Sequence, residues 1–177
     1  MPMNIQIDSR EHKSEVSRIK KQLDKLGVDY FTSKLYVGDY MSLDNPRLCI
    51  DRKKDLMELV NNVTHQHTRF REELVRAKEH GIKLIILVEH GAEIQTMEDV
   101  YFWENPRAKP SIWVMRDGHP VKVASNPNAT SGKTLYKSLC TIRDRYGVDF
   151  HFCEKKDTGR KIIELLGGNK NDDSKNP

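Results

Sequence analysis

Several things are scarce in this sequence, and each scarcity excludes something. No apolar run approaches the roughly 20 residues of a membrane-spanning helix; the most apolar stretch, Leu84–Val88, is far too short. The opening MPMNIQIDSRE has no apolar core of the kind a secretory signal carries. There are only three cysteines, Cys49, Cys140 and Cys153, and their spacing matches no metal-ligand pattern, so they read as reduced thiols in a cytosolic setting. No internal repeat is visible. Charge of one sign is not in large excess: the net charge is +4 and the pI about 8.9, which is compatible with a nucleic-acid partner without arguing for one.

What is present is charge of both signs and regular apolar patterning. The chain has 177 residues, 32% charged and 37% hydrophobic, enough for one domain with a core of its own. Met3–Asp8 alternates as a strand, with Ile5 and Ile7 inward. Val16, Ile19, Leu23 and Leu26 make a helical stripe, which Ser14 is expected to cap and Gly27 to stop. Asp29–Leu35 reads as a second strand. Asp55 is placed to cap a long helix reaching about Glu79, with Leu56, Leu59, Val60, Val63, Phe70, Leu74 and Ala77 on one face. Lys83–Val88 has the continuous apolar character of a strand buried on both faces. The pattern β-α-β-β-β-α-β argues an α/β fold with one mixed sheet.

From Glu89 to Thr130 the pattern is weaker. Thr96 is expected to cap a short helix through Trp103, Ile112–Met115 to form a strand, and Arg116–Ala129 to be a loop or inserted flap. Trp103 and Trp113 flank this Pro-rich stretch, with core packing or a flap as the plain reading and base stacking as the minority one. Order returns at Ser131, with a helix stripe on Leu135, Leu139, Ile142 and Tyr146 that Gly147 ends. A strand at Val148–Cys153 and a last helix carrying Ile162, Ile163, Leu165 and Leu166 follow. The expected organisation is one domain over 1–167, with an insertion at about 90–130, and a polar disordered tail over 168–177.

The stretch that carries chemistry is Val37–Lys54, VGDYMSLDNPRLCIDRKK. Asp44-Asn45-Pro46 is turn chemistry. A hairpin centred there sets Asp39 opposite or diagonal to Asp51, with Cβ atoms within roughly 4.5–8 Å. Strand alternation puts Asp51 and Lys53 on one face and Leu48 and Ile50 on the other. Two carboxylates this close repel and call for a counter-charge. A divalent cation with oxygen ligands, Mg²⁺, supplies it. It would bind a phosphate and lower the pKa of a water, while the lysine orients that water or neutralises the pentavalent phosphate. The short motif alone also fits a polar surface hairpin.

Gly38–Tyr40 (GDY) followed by Ile50–Leu56 (IDRKKDL) resembles the GD…ERK signature of XPF/Hef-type structure-specific endonucleases, a branch of the PD-(D/E)XK nucleases. Ile7–Glu11 (IDSRE) resembles that family's opening strand, and Leu84–Glu89 (LIILVE) its central buried one. Ser131–Leu166 is similar to its closing elements. Compact stand-alone phage or prophage nucleases look nearest. The resemblance implies a restriction-endonuclease-like fold, a central mixed sheet flanked by helices, and Mg²⁺-dependent hydrolysis of branched, junction or flap DNA, with Mn²⁺ able to substitute. It implies Asp8, Asp39 and Asp51 as metal-coordinating acids, the Arg52 carbonyl as a further ligand, and Lys53 as the catalytic lysine. Arg10 and Arg52 would lie near phosphate or in supporting ion pairs. It also implies a homodimer, and the cytoplasm of a bacterial or phage-infected cell.

The sequence departs from the family at three places. Asp51 stands where glutamate is usual. Asp55 falls two residues after Lys53 rather than four, so it is assigned the helix cap. The tandem helix-hairpin-helix module of many relatives has no counterpart, so DNA grip is expected from the nuclease domain, a dimer partner or another protein.

Other candidates are weaker. Arg69 and Arg71 on the long helix suit phosphate contacts, and Glu73 is an optional extra acid. His65 and His67 cannot share a helix face. Ser131–Thr134 lacks the glycine and strand of a P-loop, though Lys133 at a helix start can still touch phosphate. A rival reading is a nuclease-fold subunit that binds DNA or a partner without cutting. A third keeps the chemistry and changes the substrate to RNA or a specific duplex.

Overall fold

The computed structural model describes residues 3–167. The expected disordered tail at 168–177 lies outside the described residues. Six strands form one mixed sheet in the order β2-β1-β3-β4-β5-β8. These are β1 (Asn4–Asp8), β2 (Asp29–Ser33), β3 (Tyr40–Ser42), β4 (Asn45–Lys53), β5 (Lys83–Glu89) and β8 (Asp149–Cys153). The β1–β2, β4–β5 and β5–β8 pairs are parallel, whereas β3 runs antiparallel to both β1 and β4. The expected α/β class and mixed sheet are what the chain forms.

Helices cover both faces of the sheet. On one side α2 (Leu56–Thr64), α3 (His67–Glu79) and α4 (Gly132–Tyr146) bury Leu59, Phe70, Leu74 and Leu135 against Leu84, Ile86 and Val88. On the other, α1 (Lys13–Lys25) and α5 (Thr158–Leu165) bury Ile19, Leu23 and Ile162 against Ile5, Ile7, Ile85 and Leu87. Successive residues of β5 therefore alternate between two cores, which is why its sequence is continuously apolar.

Three local readings change. The long helix expected over 55–79 is two helices. Both His65 N and Gln66 N donate to the Asn61 carbonyl at 2.9 Å, ending α2, and α3 then starts afresh. Thr64 contributes to the break by spending its hydroxyl on the Val60 carbonyl at 2.8 Å. The apolar stripe survives the break, because each half keeps its own buried side.

The helix expected to be capped by Ser14 begins one residue before it, with no side-chain cap at His12. Ser14 Oγ is instead 3.0 Å from His12 Nδ1. Asp55 does cap α2, accepting from Glu58 N at 2.7 Å.

The third change is in the insertion. The loop expected after Arg116 contains a strand: β6 (Pro110–Arg116) and β7 (His119–Ala124) form a separate two-stranded ribbon. Its turn is Asp117-Gly118, both with positive φ (49° and 79°). An Asp-Gly pair between apolar runs is the sequence signal for such a turn.

Candidate active site

The site is assembled by the alternation of β4. Cys49 packs into the α2–α4 core and Ile50 into the α1–α5 core. Continuing that alternation, Asp51 and Lys53 project toward α2 and α3, while Arg52 projects toward α1. Asp39 lies one step beyond the last pair of the β3–β4 ladder, Tyr40 with Ile50. That is the register the symmetrical hairpin required, reached by another path. The turn is Leu43-Asp44 rather than Asp44-Asn45-Pro46, Ser42 pairs with Asn45, and an irregularity between Met41 and Ser42 absorbs the extra residues of β4.

Asp39 is fixed at both its backbone and its side chain. Its N–H donates to the Ile50 carbonyl at 2.7 Å, and its Oδ2 accepts from Arg52 N at 2.7 Å. Gly38 makes this approach feasible: with φ of 71°, a Cβ there would sit 2.9 Å from the Ile50 carbonyl oxygen. Gly38 N in turn donates to Glu73 Oε1 at 2.9 Å, tying the hairpin to α3.

Lys53 Nζ donates to Asp51 Oδ1 at 2.9 Å and lies 2.8 Å from Oδ2. It also sits 5.3 Å from the centre of the Phe70 ring. Burial by itself would lower the Lys53 pKa, but Asp51 and Asp39 outweigh it and hold the amine as ammonium. Burial pushes the Asp39 carboxyl well up, with repulsion from Asp51 and Glu11 adding to it. Burial likewise raises Glu11 and Glu73, each with help from Asp51. These groups open onto a cleft of about 350 Å³ lined by seven acidic side chains and, apart from Arg52, whose guanidinium turns away, by four cationic ones. The excess is negative on a chain whose net charge is positive, which suits a cation.

The structure brings Asp39, Asp51 and Lys53 together and treats the other expected residues differently. Asp8 lines the same cleft, but Arg10 clasps it through its backbone N–H, Nε and Nη2, and Leu35 N adds a fourth donor. Burial raises the Asp8 carboxyl, and these donors more than reverse that and leave it lowered. Arg10 is thus engaged with Asp8 and the Leu35 carbonyl.

The Arg52 guanidinium is not at the cleft surface. It is buried with Glu11 at 3.2 Å, Glu89 at 3.4 Å and Glu15 at 3.5 Å, so its expected place near phosphate gives way to the supporting ion pair. Arg69 lines the cleft; Arg71 lies on the other flank of α3, beside Ile142 and Tyr146. Lys133 is not among the cleft-lining residues and sits 5.9 Å from the Tyr101 ring centre. His65 and His67 are exposed around the helix break. Glu11 and Glu58 enter the cleft unanticipated. For Glu11, three residues after Asp8, the signal was the IDSRE segment itself.

Among the described residues no three His, Cys, Asp or Glu side chains converge into a ready metal site. Asp39, its carboxyl raised by burial and by the neighbouring Asp51, and Asp51 itself both line the cleft, and they are nevertheless a donor pair that fits a hard divalent cation.

A mixed sheet covered by helices on both faces, with an acid–acid–lysine cluster at the carboxyl end of β4, defines a nuclease fold of the restriction-endonuclease type. The chain belongs to the ERCC4 domain family, which matches residues 7–165. Its fold is similar to that of XPF from Aeropyrum pernix, at 22% identity and a TM-score of 0.58, covering 92% of this chain and 63% of that one. It is equally similar to XPF from Aeropyrum pernix in complex with DNA, at 19% identity and a TM-score of 0.59, covering 93% and 63%. The chain thus spans under two thirds of the length of those proteins. No curated protein matches it.

Proposed function

We propose that this protein is a divalent-metal-dependent endonuclease that hydrolyses phosphodiester bonds in branched, flap or junction DNA. The observation that carries the reading is the meeting of Asp39, Asp51 and Lys53 in an open polar cleft, on a chain of the ERCC4 family. Asp39, Asp51 and the Arg52 carbonyl, with Asp8 or Glu11 alongside, would hold Mg²⁺, or Mn²⁺ in its place. When bound, the ion supplies charge for the scissile phosphate and acidifies a water. The chain's own contribution is Lys53. Held as ammonium, it donates rather than accepts, so it orients the attacking water and neutralises charge growing on phosphorus; it is not the general base. Arg69 and Arg76, on the cleft wall, suit the phosphates either side of the cut.

The test is incubation of labelled flap, fork and four-way DNA with Mg²⁺ and with EDTA. Lys53→Ala is expected to lower cleavage by about 10²–10³-fold, as loss of one preorganised donor does elsewhere. Identical cutting by wild type and variant removes Lys53 from the mechanism.

One observation favours a second reading, a non-catalytic nuclease-fold subunit: Lys53 is closed onto Asp51, and among the described residues no third acid completes a ligand set. Calorimetry with Mn²⁺ separates the two. Binding that Asp39→Asn abolishes supports the enzyme; no heat in wild type supports the subunit. The homodimer and the single-domain organisation over 1–167 are parts of the same proposal. Neither the family match nor the solved structures bear on a phage origin.

A further inference from the structure

The β6–β7 ribbon takes no part in the cleft, and its composition is unlike the rest of the surface. Among the described residues it pairs only with itself. Trp113 and Met115 are each 69% exposed. They lie on one face with their cross-strand partners Lys122 and Pro120. Lys122 Nζ sits 6.0 Å from the Trp113 ring centre. The other face carries Ile112, Val114 and Val121, with Arg116 and His119 toward the tip.

A free two-stranded hairpin is marginal in water. This one is fastened at its root, where Asn126 N donates to the Arg107 carbonyl at 2.8 Å and Asn105 Nδ2 to the Thr130 carbonyl at 2.9 Å. At the same root Gly132 opens α4 so close to the Val100 and Trp103 carbonyls that a Cβ has no room. The ribbon therefore projects as an anchored arm.

Charge and topology say what covers it. Between Pro106 and Lys133 the cations are Arg107, Lys109, Arg116, Lys122 and Lys133, against the single acid Asp117. Lys109 is paired with Glu104. Such an arm repels a second copy of itself and attracts a polyanion. The insertion leaves the carboxyl end of β5 and returns through α4 to β8, which is parallel to β5. Because β4 is also parallel to β5, the insertion departs from the same carboxyl end of the sheet that carries Asp51 and Lys53. α4 also packs on the sheet face to which those two side chains project.

We propose that the ribbon binds single-stranded DNA, with Trp113 and Met115 as the platform on which unpaired bases stack, with Lys122 beside the indole on the backbone, and with Arg116 reaching the backbone from the tip, where the strand passes off the platform. An exposed indole beside a lysine offers a surface to an unstacked base, which duplex DNA does not present. The inference rests on the DNA reading of the cleft and deepens it: the arm holds the unpaired strand of a flap or fork.

The experiment uses the full chain in EDTA, so that binding is read without hydrolysis. Anisotropy of labelled oligo(dT) is compared with a blunt duplex of equal length. Trp113→Ala is expected to weaken oligo(dT) binding about tenfold and duplex binding less than twofold. Arg116→Gln with Lys122→Gln is expected to lower the slope of log affinity against log salt by about 1.4, about 0.7 for each phosphate no longer neutralised. Unchanged oligo(dT) affinity in Trp113→Ala, or equal weakening on both DNAs, overturns the proposal. So does dissociation of a dimer by Trp113→Ala in sedimentation with affinity unaltered, which makes the ribbon a self-contact. Cleavage by wild type and Lys53→Ala in Mg²⁺ reads the cleft separately, so either reading can fail alone.

Discussion

At the scale of single residues, the site is organised by unfavourable charge that the fold tolerates. Asp39 has its carboxyl raised by burial, with Asp51 and Glu11 nearby. A carboxyl whose pKa is higher in the folded than in the unfolded chain binds its proton more tightly when folded. Stability therefore rises as pH falls through the raised value and is lowest above it. Asp39→Asn removes that penalty, while its amide oxygen can still accept from Arg52 N. The metal-free variant is expected to melt higher than wild type near pH 8, by about 2–4 °C for a gain of about 1 kcal/mol at this chain length. The difference should shrink toward pH 4. Mg²⁺ should raise the melting point of wild type and not of Asp39→Asn. A lower melting point for the metal-free variant at pH 8 contradicts this account of the site. Asp8 behaves in the opposite sense: its lowered carboxyl contributes stability above its unfolded pKa, lost as pH falls through the folded value.

At the scale of elements, β4 connects the site to the body of the protein. One-residue alternation sends Asp51 and Lys53 to one side and Arg52 to the other, where it meets Glu11, Glu15 and Glu89. Glu89, fully buried, also holds Arg18 at 2.5 Å and accepts from Thr158 Oγ1 at 2.7 Å. This network joins α1, β4, β5 and α5 behind the face that carries Asp51 and Lys53. Arg52→Met is expected to cost about 3 kcal/mol in urea unfolding. That is the low end for a broken buried pair, because Arg18 remains to neutralise Glu89. A change under about 0.5 kcal/mol would mean that the network is dispensable to the fold.

The break between α2 and α3 works at the same scale. It gives α3 its own start, from which Phe70 contacts Lys53 and Glu73 receives Gly38 N.

At the scale of the whole molecule, a basic chain keeps its excess carboxylates in one cleft and much of its free positive charge elsewhere, including the β6–β7 arm. That division suits the proposed endonuclease, which would hold cations in the cleft and still attract DNA. Homodimerisation, expected from the family resemblance, belongs here. Sedimentation equilibrium at tens of micromolar is expected to show a dimer, and only monomer at that concentration would remove the proposal. The exposed arm is a poor candidate for the dimer contact because of its charge.

The sequence by itself determined much of this. Periodicity and buried-strand character located the mixed sheet, the helix stripes and the Asp55 cap, because those signals are local. Strand alternation alone put Asp51 and Lys53 on a common side. Tertiary structure decided what depends on partners distant in the chain. It closed Arg10 onto Asp8 and buried Arg52 among glutamates from α1 and β5. It brought Glu11 and Glu73 up to the hairpin and split a continuous apolar stripe into two helices. The Asp117-Gly118 turn was legible but lay in a stretch without strong periodicity. The reason is common to all of these: alternation fixes which face a side chain leaves from, and only packing fixes which charges it meets there.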